Sequence, residues 1–573
     1  MFDLGKLALL GSSNLEYLAM GFRDEAELLG VSLDVHVPEF GQVSQQLLLP
    51  DGSSELKQFN PDVSLIVERG EDILGPLAVD PLGFSSSDFE AELNNSVDRY
   101  IQSLDIAIQN LTKSVFVLLP SYTTRSPLCA ADKSSNQSVS GALNRVNASI
   151  QDYVRDAGER VEILDSDSWI QEFGKQRAHP AKYWSLGRVP YSIGYSKYLA
   201  KKVIGRLLAS SGATTRLMIL DLDNTLWGGV IGEDGIEGIQ LGGGYPGNAY
   251  RDFQIALKAL SRRGIALAVA SKNDHDVAMS AIENHPEMIL RPDDFVTTQI
   301  SWQPKEVTIP KIIEEVSIGA SSCCFIDDNP VERQKARIGV PSLIIPEFPD
   351  DPADLADWLL GMPWVECSAI TDSDLKRTSQ YRVRAKLAEK KKQFTNLDDF
   401  LADLSMKLDF AELHDNNAAR ITQLLAKTNQ FNTTTVRYTL PDLKSLVEQG
   451  RLVFGIGLSD RYSPRELMGV VVLDPNHEPT TLHVNSFLLS CHILGRNVET
   501  AVLAWITQKA LELGKTDVTA SVVETPKNTP VRDVFSKHGF KETKPKFFTS
   551  NVGDGVCVPD YISVVGLSES DRV

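Results

Sequence analysis

The stretch LMILDLDNT, residues 217–225, decides the fold of the central part of this chain. Its apolar start, Leu217–Leu220, predicts a short buried strand, and Asp221 and Asp223 follow directly. Alternate residues of an extended chain point the same way, so both carboxylates are expected to converge beyond the strand end. They offer the oxygen ligands that Mg²⁺ prefers, and one of them can attack phosphorus as a nucleophile. Taken alone, the motif is as compatible with a solvated acidic turn, because the chain has 76 Asp and Glu residues.

The size and composition of the chain restrict its class. A length of 573 residues exceeds one hydrophobic core and predicts roughly three or four domains. The net charge of −19 argues against a nucleic-acid surface, which needs a basic stripe. The sequence has no apolar run of about 18 residues, so no membrane span is expected. Six scattered cysteines form no disulfide framework, which favours the reducing cytoplasm.

Residues 1–208 alternate strand-like and amphipathic segments, the pattern of a parallel sheet covered by helices. Strands are predicted at 6–10, 32–37, 63–67, 115–119 and 161–164. Gly11-Ser12-Ser13-Asn14 follows the first of these strands, and His179 lies in the last loop, after Asp165 and Asp167. This arrangement resembles the Ser-His-Asp hydrolases of the SGNH class, with Ser12 as the nucleophile. The Gly-Asp-Ser and Gly-x-Asn-Asp blocks of that class are not met, which favours a degenerate, non-catalytic domain.

Residues 209–360 are predicted to form a second α/β domain after a short polar linker. Strands are predicted at 217–220, 266–270, 295–297, 323–326 and 342–345, and helices at 250–263, 276–283 and 305–316. Polar motifs stand at the strand and helix ends, where ligands bind in such sheets. There are four of them: Asp221-Leu-Asp223-Asn-Thr225, Ser271-Lys272-Asn273-Asp274, Lys305 and Asp327-Asp328-Asn329.

The four motifs resemble those of the haloacid-dehalogenase-like (HAD) phosphotransferase superfamily, in the same order. The resemblance implies that Asp221 takes the phosphoryl group and that Asp223 is the general acid/base, with its backbone carbonyl on Mg²⁺. Asp327 and Asp328 would complete the metal site. The residues assigned to phosphate binding are Ser271 and Lys305, together with Thr225, Lys272 and Asn273. The Gly-rich segment between Trp227 and Tyr250 is too short for a large cap domain, which leaves this site open to a bulky substrate or a prosthetic arm.

Residues 361–405 are predicted to be a charged helical connector, and residues 406–573 a third α/β domain. Strands are expected at 407–413, 451–458, 467–473, 482–489 and 517–523, and helices at 417–427, 440–449, 498–513 and 530–538. This order resembles the GNAT acyltransferase fold. In that fold a loop that opens a helix binds the pyrophosphate of coenzyme A or the arm of a carrier protein, as free N–H groups at a helix start can. Here that loop contains Gly495 and Arg496, and its departures at His492 and Asn497 argue against ordinary acetyl-coenzyme A use.

Five longer motifs resemble the FkbH-like family of polyketide pathways over nearly the whole chain. They are DLDNTLWGGVIGEDG (221–235), SKND (271–274), FIDDNPVER (325–333), TNQFN (428–432) and SCHILGR (490–496). The resemblance implies a three-domain α/β protein: an SGNH- or flavodoxin-like parallel sheet, an HAD Rossmann-like parallel sheet with a minimal cap, and a GNAT-like mixed sheet. It also implies an Mg²⁺-dependent glyceryl transferase/phosphatase. Such an enzyme takes 1,3-bisphosphoglycerate and delivers D-glyceryl as a thioester to the 4'-phosphopantetheine arm of an acyl carrier protein.

Three residues of the third domain are candidates for handling the acyl group. Thiolates are strong nucleophiles toward acyl phosphates, so Cys491 is a candidate to carry glyceryl, although a buried strand cysteine is the alternative. Asn429 and Asn432 lie in an amide-rich loop that could bind glyceryl hydroxyls or the carrier arm, or simply form a helix cap and turn. For the whole chain, the alternative function is a phosphatase of a small phosphorylated acid with flanking docking domains. A non-enzymatic scaffold is disfavoured because all four HAD motifs are complete.

Overall fold

The computed structural model describes residues 2–50, 52–111, 113–158, 160–394, 396–428, 430–490, 493–525 and 528–565. The chain divides into two compact units. The first comprises residues 1–310 and 318–378, and the second comprises residues 311–317 and 379–573. Within the described ranges, no helix has the length and apolar character needed to cross a membrane.

The first unit begins with a five-stranded parallel sheet in the order β2-β1-β3-β4-β5. The sheet has buried apolar runs in β1, β3 and β4, as expected where helices cover both faces of a parallel sheet. This confirms the predicted parallel sheet. The strands are β1 (Phe2–Leu10), β2 (Val31–His36), β3 (Val63–Arg69), β4 (Ser114–Ser121) and β5 (Val161–Leu164). The helices are α1 (Glu16–Leu29), α2 (Val43–Leu48), α3 (Glu55–Phe59), α4 (Gly70–Leu74), α5 (Pro76–Val79), α6 (Ser86–Asn110), α7 (Val139–Ala157), α8 (Ser166–Phe173), α9 (Lys175–Ala178), α10 (Ala181–Gly187) and α11 (Ile193–Ser211).

A four-stranded parallel sheet in the order β8-β7-β6-β9 follows in the first unit. Its central strand β6 consists of LMIL and is fully buried, which places the residues after it at the carboxyl edge of the sheet. The strands are β6 (Leu217–Leu220), β7 (Ala266–Ser271), β8 (Phe295–Ile300) and β9 (Cys323–Ile326). The helices that accompany them in sequence are α12 (Ile231–Gly238), α13 (Gly247–Arg262), α14 (His275–Asn284), α15 (Lys305–Val316), α16 (Pro330–Gly339) and α17 (Leu355–Leu360).

The strand predicted at 342–345 is wrong, since this segment makes a single bridge, between Cys324 and Ile344. Two features stop the ladder there. The carbonyl of Ile345 accepts a hydrogen bond from Arg337 Nη2 at 3.1 Å, and the next residue, Pro346, has no N–H to continue the pairing.

The second unit contains a mixed eight-stranded sheet in the order β15-β16-β14-β13-β12-β11-β10-β17. Strands β10 to β13 are antiparallel, whereas β13 and β14 are parallel and pair only between Thr481–Val484 and residues 517–520. The mixed sheet agrees with the GNAT-like prediction. The strands are β10 (Met406–Glu412), β11 (Leu452–Ser459), β12 (Glu466–Glu478), β13 (Thr481–Leu489), β14 (Asp517–Ser521), β15 (Lys541–Lys544), β16 (Phe547–Asn551) and β17 (Ile562–Val564).

The helices of this region are α18 (Asp372–Gln393), α19 (Leu397–Leu404), α20 (Asp415–Lys427), α21 (Leu440–Glu448), α22 (Val498–Glu512) and α23 (Val534–Lys537). The helix predicted at 530–538 is shorter than expected. It is replaced by a single 3₁₀ turn at Thr529–Val531 and the four residues of α23. The chain leaves the helix at Gly539, which has a φ of 83° and therefore cannot continue it.

Candidate active site

Three carboxylates meet at the carboxyl edge of the second parallel sheet. Strands β6 and β9 are neighbours, with Leu220 opposite Ile326, so the residues after each strand lie side by side. The N–H of Asp221 donates to the carbonyl of Ile326 at 3.0 Å and fixes this register. One carboxylate oxygen from each of Asp221, Asp327 and Asp328 lies within 4.8 Å of the others. This arrangement can hold a divalent cation.

Lys305 lies between two of these carboxylates. It is the first residue of α15 and is 2% exposed, and its Nζ is 2.7 Å from Asp221 Oδ2 and still closer to Asp327 Oδ2. Burial by itself would lower the pKa of Lys305, but the charges of Asp221 and Asp327 outweigh it, so the pKa is raised. The side chain is therefore a fixed cation beside Asp221.

The charges of the site leave a negative excess. Burial raises the pKa of Asp327, with Asp221 adding to the shift and Lys305 opposing it. Burial, followed by repulsion from Asp327 and Asp221, raises the pKa of Asp328 to about 6. One carboxylate oxygen, Asp221 Oδ1, is buried without a hydrogen-bond partner. Three carboxylates, one ammonium and an unpaired acceptor fit a hard divalent cation such as Mg²⁺.

Asp223 does not join the three carboxylates as the sequence predicts. Its Oδ1 accepts hydrogen bonds from Trp227 Nε1 at 2.9 Å and from the N–H of Ile231 at 3.0 Å, and its Oδ2 accepts one from Asn273 Nδ2 at 2.9 Å. These donors orient the Asp223 carboxylate, which lies outside the group formed by Asp221, Asp327 and Asp328, and its convergence with Asp221 stays a prediction. The partners of Asp221 come instead from β9. A metal contact through the backbone carbonyl of Asp223 stays a prediction.

Of the other residues predicted to bind phosphate, Ser271, Asn273 and Thr225 contact the acidic loops, whereas Lys272 pairs with a glutamate. Ser271 and Asn273 belong to the site, because Asn273 Nδ2 joins Ser271 Oγ at 3.2 Å to the carboxylate of Asp223. Thr225 is fully buried and its Oγ1 accepts from the N–H of Asp328 at 3.3 Å, so it ties the two acidic loops together. Lys272 forms an ion pair with Glu332 at 2.9 Å.

Two supporting residues, Trp227 and Arg333, received no role from the sequence. Trp227 is fully buried and holds Asp223. Arg333 Nη1 donates to the carbonyls of Asp327 at 2.9 Å and Asp328 at 2.8 Å, and its Nη2 pairs with Glu347 at 2.8 Å. Both residues occur in the conspicuous motifs around the acidic pairs, but the pattern does not reveal which atoms they bind.

The segment that covers this sheet edge is small, as predicted. It contains the short helix α12 and a bridge in which Gly228 and Gln240 exchange hydrogen bonds of 3.0 and 2.8 Å. The N–H of Val230 is bound by Asp234 Oδ2 at 2.8 Å, which fixes the start of the helix. The segment between Trp227 and Tyr250 therefore consists of one short helix and one bridge and is not a large cap domain.

Three candidate residues of the second unit, Asn432, Gly495 and Arg496, lie within the described residues. Cys491 and Asn429 lie outside the described residues. The Asn432 side chain is 1% exposed, donates to the carbonyl of Thr428 at 3.3 Å and accepts from the N–H groups of Thr434 at 3.3 Å and Thr435 at 2.9 Å. This geometry favours the turn that the sequence left as an alternative.

The loop before α22 is also held by local contacts. Gly495 has a φ of 76°, a conformation that glycine adopts without strain. Arg496 Nη1 pairs with Asp460 Oδ2 at 3.1 Å, and burial lowers the pKa of this arginine. Arg496 is thus committed to an ion pair in this structure.

The chain itself fills the gap where β13 and β14 separate. Thr433 N–H donates to the carbonyl of Phe487 at 3.0 Å, and the carbonyl of Thr433 accepts from the N–H of Val523 at 2.7 Å. An extended ligand that pairs with these strand edges would have to displace this segment.

The residues that resemble a Ser-His-Asp triad in the first unit make other contacts in this structure. Ser12 is hydrogen-bonded to Glu68, and His179 Nδ1 is 2.9 Å from the carbonyl of Pro190. Asp165 accepts from the N–H of Asp167 at 3.1 Å and caps α8. Ser12, His179 and Asp165 each make a different contact from the one a Ser-His-Asp triad requires, and the degenerate, non-catalytic character of the domain stays a prediction.

These features define a multi-domain α/β protein with an acidic, lysine-containing site at the edge of a parallel sheet. Residues 6–207 match the family described as FkbH, N-terminal domain, which confirms the FkbH-like resemblance. A solved structure of the N-terminal part of BF1531 from Bacteroides fragilis, containing a phosphatase domain complexed with Mg, is also similar to this chain. It is 27% identical, with a TM-score of 0.54, over 64% of this chain and 95% of that one.

The remaining comparisons are weaker. Coenzyme A complexes of two acetyltransferases match the chain, aminoglycoside acetyltransferase AAC(6')-Ib and the spermidine N-acetyltransferase of Vibrio cholerae, the latter also with spermine bound. Each is 12% identical to this chain. The matches cover 25% and 26% of this chain and 94% and 96% of the acetyltransferases, respectively. Their TM-scores are 0.20 and 0.21, so no conclusion is drawn from them. A search of the curated proteins finds no match. The family match and the BF1531 structure together support an enzyme.

Proposed function

We propose that this chain is an Mg²⁺-dependent glyceryl transferase/phosphatase that forms D-glyceryl-S-acyl carrier protein from 1,3-bisphosphoglycerate. The observation that carries the proposal is the contact of the buried Lys305 with Asp221, 2.7 Å apart, beside Asp327 and Asp328. The FkbH match and the likeness to the Mg-containing BF1531 phosphatase domain support the same reaction class.

In this proposal Asp221 is the nucleophile. One of its oxygens forms a bond to phosphorus, the bond from phosphorus to the leaving oxygen breaks, and Asp223 donates a proton to that oxygen. Water then attacks the phosphorus of the aspartyl phosphate, gives its proton back to Asp223 and restores Asp221.

Charge repulsion opposes this attack, because both the carboxylate and the phosphate are anionic. Lys305 lies where it can bind a phosphoryl oxygen, and Asn273 is hydrogen-bonded to both Asp223 and Ser271. Mg²⁺ held by Asp221, Asp327 and Asp328 would supply the remaining positive charge.

The acyl half of the proposal rests on the family resemblance. The sulfur of Cys491 would form a bond to the carbonyl carbon of the acyl phosphate, inorganic phosphate would leave with the thiol proton, and the 4'-phosphopantetheine thiol of a carrier protein would then displace the Cys491 thiol. Asp221 would act on the other phosphate of the substrate, the phosphate ester. Asn429, Asn432, Gly495 and Arg496 would contact the acyl group or the arm. We further propose the division into domains at 1–208, 209–360, 361–405 and 406–573, a cytoplasmic location and a role in supplying three-carbon units to polyketide synthesis.

The test is loading of a carrier. The full chain is mixed with 1,3-bisphosphoglycerate, Mg²⁺ and a holo carrier protein from the same biosynthetic cluster, and the carrier is weighed by intact mass spectrometry. A glyceryl adduct is expected with the wild-type chain and not with Asp221→Asn. The Cys491→Ala variant decides the route: normal loading would replace the two-step transfer by direct attack of the carrier thiol. No adduct on any such carrier would contradict the proposed function.

A second candidate is a plain phosphatase of a small phosphorylated acid, with the other domains serving for docking. It is favoured by one observation: the three carboxylates, Lys305, Ser271 and Asn273 all belong to the first unit. Phosphate release at the same rate with and without the carrier would support it over glyceryl transfer.

A further inference from the structure

Ser12 and Glu68 form a pair on the first sheet, separate from the acidic site on the second. Strands β1 and β3 are parallel neighbours, with Leu10 opposite Ile66, so the residues two positions further along each chain come side by side. The N–H of Ser12 donates to Glu68 Oε1 at 2.9 Å, and Ser12 Oγ donates to Oε2 in a shorter contact. The carboxylate thus holds the serine by two atoms and orients its hydroxyl.

A glycine permits this close approach. A Cβ on Gly11 would lie 2.1 Å from the carbonyl oxygen of Val67, which no side chain tolerates. Only glycine lets the end of β1 run this near to β3 and bring Ser12 to Glu68.

The pair lies at a cavity of about 280 Å³ bounded by α2 and α6. Its walls are mainly apolar and include Val43, Leu47, Ile66, Leu104 and Ala107. At the rim, Leu48 and Ile106 also line the cavity and are 66% and 36% exposed. Such a pocket, at the small end of those that bind small molecules, fits a short apolar chain.

The cavity also has polar lining groups. Ser12, Glu68 and Tyr100 all line it, and Tyr100 Oη is buried without a hydrogen-bond partner. An unpaired buried hydroxyl is costly and marks a position where a ligand atom would gain a hydrogen bond. The cavity therefore suits a molecule with a polar head and an apolar chain.

The protonation of Glu68 matches the task of a base. Burial raises the pKa of Glu68 to about 7, while the hydrogen bonds from Ser12 lower it and Asp72 raises it. A base with a pKa near the working pH is efficient. Ser12 itself is exposed, so a substrate can reach its hydroxyl.

We propose that this pocket is a second catalytic site, at which Ser12 accepts an acyl group from an ester or thioester with a short apolar chain and Glu68 is the general base. Ser12 Oγ forms a bond to the carbonyl carbon while its proton passes to Glu68. The bond from carbon to the leaving oxygen or sulfur breaks, and the leaving group takes that proton. Water or another hydroxyl or thiol then displaces the acyl group, and Ser12 regains a proton through Glu68.

A fluorophosphonate probe tests the nucleophile in the full chain. Serine attack on phosphorus expels fluoride and leaves a stable adduct, which intact mass and peptide mapping locate. Labelling at Ser12 is expected, with none in Ser12→Ala and about a hundredfold slower labelling in Glu68→Gln. The exposed control changes Ser211→Ala and Glu27→Gln should label as the wild-type chain does.

Hydrolysis of p-nitrophenyl butyrate and acetate tests the pocket. Ser103 lines the cavity from an exposed position, so Ser103→Trp should slow butyrate turnover more than acetate turnover without disturbing the core. Labelling at another residue, no labelling, or unchanged butyrate hydrolysis in Ser12→Ala would overturn the proposal. Phosphate release should be the same in Ser12→Ala and wild type, which separates this proposal from the function assigned to Asp221 and shows that the variant is folded.

Discussion

Replacing Lys305 with methionine should lower the free energy of unfolding, because the carboxylates of the acidic site would repel one another. The change keeps an apolar side chain but removes the ammonium 2.7 Å from Asp221, so buried carboxylates lose their shared counter-ion. Removing one partner of a buried ion pair costs about 3–5 kcal/mol, and we expect a loss of that size in the free energy of unfolding at pH 8 without Mg²⁺. The matched change Lys272→Met breaks a more exposed ion pair and should cost about 1 kcal/mol or less.

The pH dependence of Lys305→Met gives a sharper test. Asp328 has a folded pKa of about 6 and that of Asp327 is also raised, both above the ordinary value of 3.8. An acid whose pKa is raised by folding destabilises the fold when ionised, and this penalty shrinks as the pH falls from the folded pKa toward the ordinary pKa of the unfolded chain. The loss in Lys305→Met should therefore shrink between pH 8 and pH 5.

The assay is urea unfolding of the full chain in EDTA, followed by tryptophan fluorescence at both pH values, with Trp227 fully buried beside the site. A chain of two units can unfold in more than one step. The variants are therefore compared by the free energy of the one unfolding transition whose midpoint shifts in Lys305→Met. Wild-type stability of Lys305→Met at pH 8, or a loss that grows toward pH 5, would refute the reasoning.

Three further predictions concern the same site. Mg²⁺ at a hundred times its dissociation constant should stabilise the first unit by about 2.7 kcal/mol at pH 8, and calorimetry should show this gain shrinking below about pH 6 as Asp328 takes up a proton. Arg333→Ala removes the donors to the carbonyls of Asp327 and Asp328, so titration calorimetry should show about tenfold weaker Mg²⁺ binding, and unchanged affinity would contradict this role. Trp227→Phe deletes one hydrogen bond to Asp223 and should slow phosphate release about tenfold, whereas an equal rate would show that this bond does not position the acid.

The sequence predicted most strands and helices because each carries its own signal. The LMIL run of β6 and the limits of α15 at Lys305 and Val316 agree with the structure to the residue. The failures occur where tertiary contacts override local pattern. The segment 342–345 does not form a strand, because the carbonyl of Ile345 accepts a hydrogen bond from Arg337 and not from a neighbouring strand.

At the acidic site, too, the sequence identified residues but not their contacts. Residue type and position at a strand or helix end were enough to single out Asp221, Lys305, Asp327 and Asp328, which the structure brings together. They were not enough to tell which carboxylates meet, because Asp223 is turned by donors from Trp227 and Asn273, the second of which is 50 positions further along the chain. Nor could they pair Ser12 with Glu68, which lie 56 positions apart and meet only because β1 and β3 are neighbours.

The central claim is that Asp221 takes a phosphoryl group. The full chain is mixed with Mg²⁺ and the phosphorylated substrate, quenched in acid during turnover and digested, and the peptides are weighed. We predict a phosphoryl group on the peptide that contains Asp221, with neither adduct nor phosphate release in Asp221→Asn. A phosphoryl group on a different residue, or normal phosphate release by Asp221→Asn, would contradict the account.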